Sequence, residues 1–104
     1  MNKFDDREKS FEKKFQMDQE LQFKISARSN KYLGEWVSLK LGKNEEEKSK
    51  YVQEIIKSDL EEAGKEDVFR KVQKDLKLAS IKIEDSEIRD QMKKALLRAK
   101  EDFK

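Results

Sequence analysis

Apolar residues return at helical intervals along most of the chain. Leu21, Ile25, Tyr32, Trp36 and Leu39 follow one another by three, four or seven positions, and Leu33 and Val37 widen the stripe, which predicts a long helix with one buried face. That helix ends at Lys40-Leu41-Gly42, where glycine can take the left-handed conformation and lysine suits the negative end of the dipole. Gly34 falls inside it at a cost of up to about 1 kcal/mol relative to alanine. A close helix crossing and plain tolerance in a long helix explain it equally well. Asn44 and Glu47 have the spacing of a capping pair and open a second helix, whose apolar positions are Tyr51, Val52, Ile55, Ile56 and Leu60 and which stops before Ala63-Gly64.

Glu66 and Asp67 suit the amino end of a third helix with a face of Val68, Phe69, Val72, Leu76 and Ala79, and Leu78 filling its end. Ser80-Ile81-Lys82-Ile83 alternates like a strand but has no antiparallel partner, so it reads as a linker. Ile83 and Ile88 then form a hydrophobic staple across the start of a fourth helix, with the stripe Ile88, Met92, Ala95, Leu96, Ala99 and Phe103. Short connections favour antiparallel neighbours, with Trp36, Phe69 and Leu96 interdigitating at the centre. The expected fold is all-α: an antiparallel four-helix bundle over residues 20–104, preceded by a mobile amino-terminal segment, residues 1–19, that becomes helical on binding.

The segment is set apart by phase. Phe4, Phe11 and Phe15 share one face, while Leu21 and Ile25 are rotated from Phe15 by roughly 80–120° at about 100° per residue. Measured against those two residues, one straight helix cannot turn both stripes to a single core. Five basic side chains (Lys3, Arg7, Lys9, Lys13, Lys14) and six acidic ones (Asp5, Asp6, Glu8, Glu12, Asp18, Glu20) give the first twenty residues a charge of −1, unlike a basic nucleic-acid arm. Three phenylalanines on a marginal helix resemble an amphipathic peptide that folds into a partner's groove. Burying them returns roughly 5–9 kcal/mol against roughly 20–40 kcal/mol for ordering about 20 residues, so a receiving cleft must also enclose backbone and other side chains. Packing of these aromatics on the chain's own bundle, or on a sister chain, is the bland alternative.

Composition narrows the chemistry. The 104 residues include no cysteine, histidine or proline, and 46% are charged, which describes one small domain without disulfides or the usual ligands of zinc, haem and iron–sulfur clusters. A balance of 25 basic and 23 acidic residues leaves +2, too little to draw the chain to nucleic acid or an anionic membrane. No apolar run approaches the roughly 20 residues of a membrane span, and the charged amino terminus is unlike a signal peptide, so a cytoplasmic location without membrane insertion is expected. Asp5-Asp6 and Glu45-Glu46-Glu47 lack the spacing of a calcium loop. Glu61 with Glu66 or Asp67 would be an acid–base pair without a legible substrate site. Neither an enzyme nor a bound cofactor is expected. A binding protein remains, and composition alone does not separate an inhibitor from a helical adaptor or self-associating protein that offers the phenylalanines to another partner.

The run Phe4-Asp5-Asp6-Arg7-Glu8, with Phe11, Phe15, Glu20-Leu21 and Phe23-Lys24, resembles the zeta-type inhibitor subunit of alphaproteobacterial ATP synthase. Arg28, Asn30-Lys31, Leu33-Gly34, Trp36 and Lys40-Leu41-Gly42 resemble that family's first long helix, and Glu61-Glu62-Ala63-Gly64, Glu66-Asp67-Val68-Phe69-Arg70-Lys71-Val72 and Asp75-Leu76 its central signature. From Glu84 onward the match is mainly one of hydrophobic pattern. The resemblance implies a four-helix inhibitor of ATP hydrolysis whose amino-terminal segment enters a catalytic alpha/beta interface of the F1 motor near the gamma rotor, hindering rotation in the hydrolytic direction. It assigns partner contact to Phe4, Asp5, Asp6, Arg7, Glu8, Phe11, Lys14 and Phe15, with the phenylalanines as wedges and Arg7 as a planar donor. The sequence departs from the family at Gln16-Met17, where many relatives carry alanine and histidine. Without histidine, no histidine-based pH switch is available.

Overall fold

A computed structural model describes the backbone of residues 2–61 and 65–104 and the side chains of residues 19–60 and 65–104. Four helices account for the fold: α1 (Asn2–Leu41), α2 (Glu45–Glu61), α3 (Glu66–Leu78) and α4 (Asp85–Asp102). The predicted ends of α2 and α3 flanking Ala63-Gly64 fall beside the junction outside the described residues.

The helix boundaries follow local chemistry. Gly42, at φ 70°, closes α1 with a Schellman pair of hydrogen bonds, Lys43 N–H donating to the Ser38 carbonyl at 3.0 Å and Gly42 N–H to that of Leu39 at 3.3 Å. The predicted capping box opens α2: Glu47 N–H donates to Asn44 Oδ1 at 2.8 Å, and Asn44 N–H to Glu47 Oε1 at 3.0 Å. α3 ends in a second Schellman pair, from Ile81 N–H to the Leu76 carbonyl and from Ser80 N–H to that of Lys77, but serine holds its left-handed position at φ 59°. Ser80 to Ile83 form no strand. Ile83 packs half-buried against the core cluster that includes fully buried Ile88.

Neighbouring helices run antiparallel. Along α1 and α2, Ser26 and Asn30 reach Asp59 while Gly34 lies against Val52. Along α1 and α4, Arg28 and Tyr32 reach Asp102. α3 closes the bundle, with Tyr51 bonded to Asp75 on the α2 side and Gln73 to Asp85 on the α4 side. The core gathers Leu33 and Val37 from α1, Tyr51 and Ile55 from α2, Val68, Phe69, Val72 and Leu76 from α3, and Ile88 and Ala95 from α4.

Several expected core positions are corrected. Leu39, Leu60 and Leu78 are 76%, 65% and 74% exposed, because each lies roughly 120° or more round its helix from Leu33, Ile55 and Leu76, the centres of the buried faces. Ala79 is exposed just beyond the end of α3. Trp36 and Leu96 are half-buried on the α1–α4 flank, leaving Phe69 the one member of the predicted trio in the centre.

The backbone of α1 runs unbroken through the expected change of phase. The buried face of α1 centres on Leu33 and Val37, with Ile25 at its edge and Leu21 half-buried, and α1 is one helix of 40 residues. Phe15 precedes Leu33 by eighteen positions, which is five helical turns at 3.6 residues each. The aromatic register is therefore that of Leu33 rather than of Leu21. What changes near residue 25 is the company: α2 and α4 finish opposite Ser26 and Arg28, whereas α1 begins more than twenty residues earlier.

Candidate functional site

Backbone geometry places Phe4, Asp5, Asp6, Arg7, Glu8, Phe11, Lys14 and Phe15 on the first four turns of α1. Their side chains lie outside the described residues. The described structure shows how the rest of α1 is held and what surrounds the point where it leaves the bundle.

A polar knot fixes α1 to the α2–α3 corner. The Asp59 carboxylate accepts hydrogen bonds from Ser26 Oγ at 2.9 Å, Asn30 Nδ2 at 2.8 Å and Lys65 Nζ at 3.0 Å, while Lys65 also donates to Ser26 Oγ at 2.8 Å. Burial pushes the Asp59 carboxyl upward, but the donors Asn30, Lys65 and Ser26 prevail and hold it below the usual carboxylate range. Three segments thus meet at one charged, hydrogen-bonded acceptor. Nothing in the apolar pattern announced it, since the partners stand 33, 29 and 6 positions apart.

On the opposite side α4 clamps the same stretch. Arg28 pairs with Asp102 at 3.3 Å and lies 5.3 Å from the Phe103 ring, Tyr32 donates to Asp102, and Arg98 stacks 3.9 Å above the Tyr32 ring. Deeper in the bundle the Tyr51 hydroxyl donates to Asp75 at 2.7 Å, and Lys71 pairs with the same carboxylate at 3.2 Å. Burial, followed by that hydrogen bond, raises the Tyr51 phenol above its ordinary range and keeps it a donor.

Gln19, Glu20, Gln22 and Phe23 face solvent as α1 leaves the bundle. Phe23 is 59% exposed and edges an open groove of about 850 Å³ between α1 and α2, floored by Ala27, Val52 and Ile56 and closed by Phe103. The apolar stripe read from the sequence left Phe23 out because it lies off the bundle-facing side. Among the described residues no group of His, Cys, Asp or Glu could hold a metal, and no helix is long and apolar enough to cross a membrane. The arrangement offers binding and mechanical anchorage.

Comparison with curated protein sequences finds no match. A structure determined by solution NMR is similar to this chain, with 41% identity, a TM-score of 0.71, and coverage of 80% of this chain and 94% of that one. The family model described as ATPase inhibitor subunit zeta matches residues 1–102.

Proposed function

Because the chain belongs to the ATPase inhibitor subunit zeta family, we propose that it stops ATP hydrolysis by the F1 sector of ATP synthase by lodging residues 4–19 at a catalytic alpha/beta interface near the gamma rotor. Residues 20–104 form the bundle that holds this segment. The family match over residues 1–102 carries the reading, and the course of α1 supports it.

Forming a helix from a free peptide requires an unfavourable nucleus. In α1 the turns from Ile25 to Val37 are already fixed by the core, so the turns before them need only propagate from an existing end. That lowers the ordering cost which aromatic burial alone does not meet. Phe4, Phe11 and Phe15 act as apolar wedges, Arg7 and Lys14 pair with carboxylates, and Asp5, Asp6 and Glu8 favour the positive amino end of the helix.

The inhibition involves no bond chemistry. An interface that must open to release product is held in one closed state, and the lodged helix shifts the population towards that state. The Asp59 knot and the Asp102 clamp deliver the segment from a rigid base. The protein acts at the cytoplasmic face of the membrane through its association with the motor. The test is titration of cognate F1 with the full chain and with a chain lacking the residues before Gln19. The full chain is expected to suppress hydrolysis and the shortened chain to leave it running; absence of inhibition by the folded full chain would refute the function, and equal potency of the two would move the site into the bundle.

A further inference from the structure

A second pocket, of about 260 Å³, opens between α1, the start of α3 and α4, away from the amino-terminal turns. Leu33, Met92 and Leu96 make it apolar. Its rim carries Lys65, Arg89 and Lys93, and among the described residues no carboxylate lines it. Two of these cations are engaged, Lys65 with Asp59 at 3.0 Å and Arg89 with both oxygens of Glu66 at 3.0 and 3.3 Å. Lys93 pairs with no carboxylate among the described residues. Ser29 lines the same pocket at 6% exposure, and its hydroxyl makes no hydrogen bond among the described residues.

These features select an occupant. A cation unpaired among the described residues, at the edge of an apolar recess, favours a group that is apolar in body and anionic at one end, and a nearly buried hydroxyl adds a polar contact within. The volume is below the range of about 300–1,000 Å³ usual for small-molecule sites and suits one or two large side chains. We propose that this pocket docks an acidic amphipathic segment of a partner protein, which seats a leucine-sized side chain on Leu33, Met92 and Leu96 and sets a neighbouring carboxylate against Lys93. Arg89, stacked 3.9 Å over Phe69 and paired with Glu66, is a fixed wall beside it.

The test uses the isotope-labelled full chain, titrated to millimolar concentration with a short capped helical peptide bearing leucines and glutamates on one face. Shifts confined to Ser29, Leu33, Met92, Lys93 and Leu96 are expected. Affinity should fall about tenfold when the peptide's glutamates become glutamines, and likewise for Lys93→Glu, which alters an exposed position and leaves the helical content in place. Absence of localised shifts overturns the proposal. So do shifts that persist equally with the neutral peptide and with the Lys93→Glu chain, since binding would then ignore the cation.

Discussion

A Cβ atom on Gly34 would stand 2.9 Å from Val52 Cγ2 and 3.1 Å from Val52 Cα, so α1 and α2 cross at a point where only hydrogen fits. This decides between the two readings of the glycine: it is a contact, and its cost as a helix residue is offset by close approach. Gly34→Ala would gain up to about 1 kcal/mol in helix propensity but push a short branched side chain and a backbone atom at a cost of about 1–3 kcal/mol. A net loss of about 1 kcal/mol, seen as a fall of about 4–8 °C in Tm, is expected from thermal unfolding.

Ser80 has the opposite fault. At φ 59° it adopts a backbone conformation that disfavours a side chain, while its own N–H and that of Ile81 complete the α3 terminus. Ser80→Gly keeps those hydrogen bonds and removes the strain. A gain of about 0.5–1 kcal/mol is expected in urea unfolding, with an unchanged slope against denaturant.

Ser38 Oγ is buried without a hydrogen-bond partner among the described residues. Ser38→Ala removes the stranded hydroxyl and improves helix propensity together, so stability should rise by about 1 kcal/mol or more in the same assay.

The Asp59 knot gives the bundle an acid limb. The folded carboxyl lies below its ordinary value of 3.8, so on acidification the unfolded chain takes up the proton first. The stabilisation is fully present above that ordinary value and is lost as the pH falls through the folded one. At neutral pH Asp59→Asn should cost about 1–2 kcal/mol, and the gap between the two proteins should narrow as the pH falls below that ordinary value. Comparison with the variant is needed because Glu66, hydrogen-bonded by Arg89, is shifted in the same direction.

For the proposed inhibition, Phe11→Ala combined with Phe15→Ala should lower potency against F1 by on the order of a hundredfold or more, as loss of two aromatic anchors does. Circular dichroism of the free double variant should show the bundle helices intact. Unfolding of the bundle would assign both phenylalanines to its core instead.

Local signals were legible wherever neighbours in sequence are neighbours in space. The Asn44–Glu47 box and the Gly42 terminus each lie within a few residues, and both formed as their spacing predicts. The orientation of α1 was not legible in the same way. Its apolar residues circle too much of the helix for periodicity to choose a face, and Ser29, Asn30 and Ser38 occupy buried positions that hydropathy counts as polar. Misplacing that face made Leu39 a core residue and made Leu21 and Ile25 the reference for the phenylalanines. The polar half of the molecule was the least legible, since Asp59 and Asp102 gather partners from distant parts of the chain. The proposed contact residues from Phe4 to Phe15 were accessible through resemblance, apart from the three phenylalanines, which their shared face had already singled out.

With no joint between its clamped and leading halves, α1 makes residue count a steering control. One residue inserted between Gln19 and Phe23 would swing every earlier position by about 100° about the axis while advancing it only about 1.5 Å. At the proposed interface the tip would still arrive, but facing sideways. Length in this helix can therefore drift at its outermost turn and must be conserved to the residue in its middle.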